Sequence, residues 1–452
     1  MQSKVSIVVP VYNKIEYIDM MLKSVYDQLW DNIELILVND GATDGTRERL
    51  TEWESKFEAR GYEVVIIDQE NHGIPGAVKA GLMRITGDYV CLADCDDMLD
   101  PKYVLTMAGW LEEHDEDQWA VCSYNKVLVN ADCMKLLSKV SIDRIPNPPL
   151  MIEKYLSTLF ATEVWIYMVR SNYFRECKVV EHYVIDIHST QEPGFLFPLI
   201  VGNGKLKVID QHLYNHNCYP NRTSSRKSAS DLIAFQNSYR DIIIATIDHL
   251  DCAYSLKKKW HVMAQLAHKS RLLQSLKNAT ECSNFVMELA MDTVELLSTY
   301  FKPDPCITAK HIIENDYGIL SIAIAECFLR KKAPDIPKFT GRIIGCGALG
   351  FMGKKSIPNL VGTPFEPTEL WDQSASSEDI LYGIPVALPD FDMLMPNDTI
   401  LIFPTNYKVK AELLQSAANS RLENTLSDSD IRYYLSAYKY PQFYNECIFT
   451  IQ

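Results

Sequence analysis

Four aspartates, Asp94, Asp96, Asp97 and Asp100, crowd the stretch CLADCDDMLD. Like charges at this spacing repel in a folded chain unless something offsets them. A divalent cation would do so, and so would a solvated acidic turn. Asp94 and Asp96, with diphosphate oxygens and water, suit an octahedral Mg2+ or Mn2+, which prefer hard oxygen ligands. Such a cation would neutralise charge on a departing nucleoside diphosphate. A second acid, Asp40, closes the apolar run before Gly41 and is placed to read a nucleotide base or ribose. Near the far end of the chain, GCGALG (345–350) has the GxGxxG spacing, whose glycines let a phosphate approach a helix start. The acid expected about 20 residues further on is not clear, and Glu366 is the nearest candidate.

These residues need elements to hold them. Val5–Val11 is a continuous β-branched run, as in a parallel strand buried on both faces. Ile15–Leu29 has helical spacing, and Ile33–Val38 reads as a second strand. Thr46–Arg60 is a helix, Tyr62–Ile67 a third strand, Ile74–Ile85 a helix and Tyr89–Ala93 a fourth strand. This alternation predicts a parallel sheet with right-handed crossovers. The acids at 94–97 then lie at the carboxyl end of a central strand, where open α/β sheets bind ligands. From Leu232 to Leu329 the spacing turns helical, and Lys331–Pro337 reads as a linker. Gly341–Gly345 and Thr399–Phe403 mark a return to strands.

Bulk properties narrow the field. The chain has 452 residues and a net charge of −15, which argues against a broad nucleic-acid surface or electrostatic docking on anionic lipid. The 12 cysteines form no CxxC pair, and no apolar run reaches membrane-spanning length. Met1-Gln2-Ser3-Lys4 does not read as a signal peptide, so the expectation is a soluble chain with reduced thiols in the cytoplasm. Peripheral contact with the inner membrane face and homo-oligomer formation stay open.

VSIVVPVYNKIEYIDMMLKSVYDQ, IELILVNDGATDGT, ENHGIPGAVKAGLMRITGDYV and CLADCDDMLDP occur in this order. Together they resemble the family 2 glycosyltransferases with the GT-A fold, strongly over residues 1–125 and more weakly to about Lys227. The resemblance implies an inverting transfer of sugar from a nucleotide donor, UDP being the first choice, to a saccharide or lipid-linked saccharide. It implies Pro10, Tyr12 and Asp40 at the base and ribose, Gly73 and Lys79 bordering the donor, and Asp94 and Asp96 as a DxD pair on Mn2+ or Mg2+. Asp97 would assist. The family's base comes from a Glu-Asp pair before an apolar helix; Gln191-Glu192 stand there, making Glu192 the base and Asp186 the reserve. Trp165 lies in a segment similar to the family's acceptor side. His216, Arg222 and Ser224 lie in a stretch similar to a loop that closes over the diphosphate, with His216 as a further metal ligand.

The expected organisation is a GT-A catalytic domain at 1–230, a helical segment at 231–335 and a Rossmann-like α/β domain at 336–452. Three rivals stand beside it. A nucleotidyltransferase would carry a glycine-rich basic loop after the first strand, where Pro10-Val11-Tyr12-Asn13 is found. An inactive nucleotide-sugar-binding module is the second. The third is an NAD-dependent sugar dehydrogenase in the C-terminal half, weakened by the unclear ribose acid.

Overall fold

Val5–Val11 (β1) and Ile33–Asp40 (β2) are almost wholly buried, because helices cover both faces of the sheet they share. The computed structural model describes residues 2–129, 134–142, 151–156, 163–185, 190–219, 228–276, 283–300, 308, 309, 312, 335–376, 379–403, 413, 422 and 424–440. Two compact units divide the chain, Met1–His268 and Lys269–Gln452.

In the first unit the chain runs through α1 (Ile18–Tyr26), α2 (Thr46–Arg60), β3 (Glu63–Gln69), α3 (Gly73–Leu82) and β4 (Tyr89–Leu92). β3, β2, β1 and β4 lie side by side and parallel, as the alternation predicts. The short β5 (Met98–Leu99) and α4 (Tyr103–Glu113) follow the acidic turn, then β6 (Trp119–Val129) and β7 (Met134–Val140). α5 (Met151–Leu156), β8 (Tyr167–Arg170), α6 (Ser171–Glu176), α7 (Val179–His182), α8 (Glu192–Val201) and β9 (Leu206–Cys218) complete the sheet. Its order is β3-β2-β1-β4-β8-β6-β9-β5, with β7 on the side of β6. β8 runs antiparallel to both β4 and β6, so the parallel sheet becomes mixed at this point. This is a mixed α/β sheet.

β1, β2 and β4 all end at one edge, which brings Pro10, Asp40 and Asp94 together. β5 pairs with β9 beside the same turn, and the Asp100 N–H donates to the Leu213 carbonyl at 2.8 Å. α9 (Ala229–His249) opens on Ser228, whose hydroxyl accepts the Asp231 N–H while Asp231 returns the bond, a capping box. α9 packs against α8. The helix after residue 230 thus belongs to the first compact unit, and the division at 268/269 falls inside α10 (Tyr254–Leu276).

α3 lies close on β1 because Gly81 has no side chain. A Cβ there would sit 2.4 Å from Val8 Cγ1 and 3.1 Å from Val38 Cγ2. Ala is favoured over Gly in a helix by about 1 kcal/mol, but overpacking a close-packed core costs about 1–3 kcal/mol. At 2.4 Å the clash wins, so Gly81→Ala is expected to lower the denaturation midpoint in urea at unchanged m-value. A raised midpoint would show that α3 can lift off β1 freely.

The second unit begins with the last two turns of α10, continues with α11 (Ser283–Tyr300) and carries a smaller, six-stranded sheet among the described residues. Its strands are β10 (Ile343–Cys346), β11 (Glu369–Trp371), β12 (Ile380–Leu381), β13 (Ile384–Ala387), β14 (Thr399–Ile402) and β15 (Asn424–Ser427). The order is β12-β13-β11-β10-β14-β15, parallel throughout except for β12. Ile344, Cys346, Trp371, Ile400, Ile402 and Leu413 form its core. Most of the helical pattern at Ile307–Leu329 lies outside the described residues. Among the described residues no helix is long and apolar enough to cross a membrane.

Candidate active site

A cavity of about 570 Å³ opens at the carboxyl edge of β1, β2 and β4. Pro10, Tyr12, Asp40, Gly73, Asp94, Asp96 and Glu192, named separately from the sequence, all line it. Asp186 and Arg222 lie outside the described residues, as does Ser224.

The wall at β2 is rigid. Asp40 Oδ1 accepts the Gln69 amide at 2.7 Å and the His72 N–H at 2.9 Å, which ties β2 to the entrance of α3. Gly73, the first residue of α3, sits at φ +71°, a left-handed conformation that a side chain would strain. The loops after β1 and β2 are cross-linked: Asn13 Oδ1 accepts the Thr43 N–H at 2.8 Å, and Asp44 accepts the Ile15 N–H at 3.1 Å. Lys79 stands apart from the cavity, its ammonium donating to the Tyr183 carbonyl at 3.1 Å.

The four crowded aspartates have separate tasks. Asp100 begins the turn into α4, accepting the Lys102 N–H at 2.9 Å. Asp97 is fully buried and accepts the Asn217 N–H at 2.7 Å, pinning the turn to β9. Burial raises its carboxyl above the usual range, and the bond from His216 opposes the rise. Asp96 is 6% exposed and meets the Lys14 ammonium at 2.8 Å. Its carbonyl is held by Asn217 Nδ2 at 2.8 Å and the Tyr219 hydroxyl at 2.7 Å. Burial pushes the Asp94 carboxyl well above the carboxylate range, and the charges of Asp97, Asp96 and Glu192 push it further, while the Gln191 amide, at 3.3 Å, works against them.

His216 lies beside Asp97 rather than on the cavity lining. Its Nδ1 lies 3.2 Å from Asp97 Oδ2, its ring stacks on Trp165 with centroids 5.4 Å apart, and it does not line the cavity. Trp165 is 5% exposed, sandwiched between Tyr214 at 4.2 Å and His216, so it is a core residue rather than a sugar platform.

The opposite wall is the start of α8. Glu192 is its first residue and Pro193 follows, where a missing N–H costs nothing. Burial pushes the Glu192 carboxyl up to about 7; N–H groups of Glu192 and Gln191 lower it, and the nearby Glu163 raises it. Glu192 Oε2 and Gln191 Oε1 are buried acceptors with no hydrogen-bond partner among the described residues. Phe235, from α9, completes this wall, a residue whose helical spacing alone did not reveal its place. Lys14 is another lining residue that sequence reasoning left without a role.

Comparison with known proteins bears on the same stretch. Residues 6–172 match the family model of glycosyl transferase family 2. This domain holds Pro10, Tyr12, Asp40, Asp94 and Asp96; Glu192 lies beyond it. The chain is 36% identical over 114 residues to glycosyltransferase GlyA of Streptococcus pneumoniae serotype 4, which is 25% of this chain and 16% of that protein. It is 31% identical over 179 residues to an uncharacterized glycosyltransferase of Haemophilus influenzae, 39% of this chain and 54% of the relative. The matches thus span little more than half, or less, of these relatives' lengths. Among solved structures, S. aureus TarS 1–349 in complex with UDP-GlcNAc aligns with 72% of this chain and 86% of its own, at 16% identity and a TM-score of 0.48.

In the second unit, GCGALG forms the turn after β10, with Gly347 at φ +78°. The Gly347 N–H donates to the Trp371 carbonyl at 2.8 Å and the Leu349 N–H to Asp372 Oδ2 at 3.0 Å. Glu366, the candidate ribose acid, accepts the Gly362 N–H at 2.7 Å in a turn of its own.

Proposed function

We propose that this protein is an inverting glycosyltransferase that moves a sugar from a nucleoside-diphosphate donor, preferably UDP, to a hydroxyl of a saccharide or lipid-linked saccharide. The observation that carries this reading is the convergence in one cavity of Asp40, the Asp94–Asp96 pair and Glu192, the last with a carboxyl near 7. Asp40 serves the base or ribose with its second oxygen, and Tyr12, 46% exposed, offers a face for a planar ring.

Among the described residues the cavity lining carries four acidic side chains, Asp40, Asp94, Asp96 and Glu192, against one ammonium, Lys14, which pairs with Asp96. A diphosphate entering such a site needs a further cation. Mn2+ or Mg2+ fits: Asp94 and Asp96 offer hard oxygens, and the unpartnered Gln191 Oε1 shows the site short of positive or donor groups. Among the described residues no group of three or more His, Cys, Asp or Glu side chains is set to hold a metal. The remaining ligands would be diphosphate oxygens and water. Bound there, the cation would offset charge on the leaving diphosphate.

The protein's own part is proton removal and orientation. Glu192 accepts the proton of the acceptor hydroxyl as that oxygen bonds to the anomeric carbon and the carbon–oxygen bond to the diphosphate breaks. A base near 7 is partly ionised at neutral pH and still strong enough to take the proton. Phe235 lies on the same side as Glu192, where it can meet the acceptor.

For the second unit we infer a Rossmann-like scaffold without bound nucleotide. Its parallel strands follow the order of doubly wound sheets, yet Asp372 already takes the Leu349 N–H in the glycine-rich turn.

The test is a thermal-shift panel of nucleoside diphosphates and nucleotide sugars with and without Mn2+, followed by donor hydrolysis. A ligand bound only by the native state raises Tm by mass action. The expected result is stabilisation by UDP-sugars with Mn2+ and slow release of UDP. Binding without any turnover would leave an inactive sensor, and no binding would end the reading. Asp40→Asn is expected to raise KM about tenfold at nearly unchanged kcat, because a base or ribose contact is equally present in ground and transition states. A fall in kcat at constant KM would remove Asp40 from the nucleotide.

A further inference from the structure

Tyr183 stands behind the base and does not line the cavity. It is 3% exposed and ends α7, which packs against α8. Its hydroxyl donates to the Gln191 carbonyl at 2.9 Å. That carbonyl is the first acceptor of α8, and its bond from the Phe195 N–H is long, 3.3 Å. The Gln191 side chain does not cap the helix; its amide donates to Asp94 instead. The Tyr183 ring packs where Gly194 has no side chain: a Cβ there would lie 3.1 Å from Tyr183 Cδ2 and Cε2. Burial, and then the charge of Glu192, raise the phenol well above its usual value, so it stays a donor near neutrality. The backbone of Tyr183 is held as well. Its carbonyl accepts the Lys79 ammonium at 3.1 Å, and Lys79 belongs to α3, whose residues Gly73, Ile74 and Ala77 line the cavity.

A general base works only within hydrogen-bond reach of the proton it takes, and a misplacement of about 1 Å can cost about 10²-fold. Glu192 follows Gln191 directly, so whatever fixes the Gln191 carbonyl fixes the point from which the base enters the cavity. We propose that Tyr183 is the positioning residue of the base: its hydroxyl and its carbonyl tie the start of α8 to α3, and so set the distance of Glu192 from the donor wall. The proposal rests on the base role given to Glu192 above. Lys79, which the resemblance places beside the donor, then acts from behind the base and not on the nucleotide.

The test is UDP release by the full chain from the UDP-sugar that raises Tm most in the panel above, with Mn2+ and with water as acceptor. Tyr183→Phe keeps the ring and removes the donor. Its kcat is expected to fall about tenfold, less than for a full 1 Å shift because the Phe195 N–H still holds the carbonyl, while its KM stays within about twofold of wild type. Lys79→Met is expected to lower kcat in the same way, and Lys79→Arg to restore it. Lys79→Met carries the test if Tyr183→Phe does not fold. The decisive readout is the Glu192→Gln background, measured in single turnover. A residue that acts through Glu192 has nothing left to position there, so adding Tyr183→Phe should lower the residual rate by less than about twofold; a merely structural role lowers it by the same factor in both backgrounds. Equal losses in both backgrounds, an unchanged kcat in both folded single variants, or a raised donor KM at constant kcat overturns the proposal and leaves the base standing. No release by wild type, or wild-type rates from Glu192→Gln, removes the base itself, and the proposal with it.

Discussion

Glu192→Gln is expected to lower the rate of sugar transfer by about 10²–10⁴-fold, the usual contribution of a general base, with little change in nucleotide-sugar affinity. The amide keeps the side-chain shape but takes no proton near neutrality. The wild-type kcat/KM should rise with pH through about 7, where burial places the carboxyl, and level off above it; the variant should lack this inflection. Burial above all, and then the charge of Glu163, hold the proton on Glu192, while its own charge raises Asp94 and Tyr183. Stability separates a base from a mere helix-start residue. The unfolded chain releases this proton near 4.3, the folded chain near 7, so the folded state holds more protons in between. Stability is therefore lost as pH rises across that window, and Gln escapes the loss. An ionised residue at a helix start gains only about 0.3–1 kcal/mol from the dipole, and the raised value shows that burial outweighs it. The Gln variant should thus melt at nearly the wild-type temperature at pH 5 and above it at pH 8. Near-wild-type transfer, with a lower Tm at both pH values, would move the base to Asp186.

What the sequence discloses is mostly what is local. The helix expected at Thr46–Arg60 has these limits in the structure because Gly45 and Gly61 flank it in left-handed conformations, φ +90° and +93°. The helix expected at Ile15–Leu29 shortens to Ile18–Tyr26 because Asp44, from the next loop, takes the Ile15 N–H, a contact that periodicity does not encode. The same limit governs the site. Strand ends announce that Asp40 and Asp94 share an edge, since parallel strands place their carboxyl ends together. Lys14 and Asp96 are 82 positions apart, and nothing in either neighbourhood names the other. The position of His216 is equally hidden. Its residue type invites a metal, but β9 runs beside β6 and the acidic turn, and this register delivers the ring to Asp97 and Trp165. Phe235 was legible as a helical residue, but not as a cavity wall, because the face a helix turns to a pocket is fixed by what it packs on.

Asp96→Asn is expected to abolish Mn2+-dependent transfer, a loss of about 10³-fold or more, since a catalytic cation supplies several kcal/mol and each 1.36 kcal/mol is tenfold. The fold should survive. Two effects on the metal-free protein oppose one another. The change removes a negative charge from beside Asp94 and Asp97, both of whose carboxyls are raised in part by Asp96, which relieves repulsion. It also takes away one partner of Lys14; the Lys14 side chain is 32% exposed and that of Asp96 8%, and a pair partly open to water contributes about 1 kcal/mol. The two nearly cancel, so Tm without ligand should stay close to wild type. The difference appears on adding Mn2+ and UDP: wild type gains stability as RT ln(1 + [L]/Kd), and the variant gains little at the same concentrations. The Asp96 carbonyl, held by Asn217 and Tyr219, is untouched by the substitution, so a lost response reports the carboxylate and not a collapsed turn. An Asp96→Asn protein that keeps both transfer and the Mn2+ response would place the cation on other groups, and the charge balance of the cavity would then have to be met without Asp96.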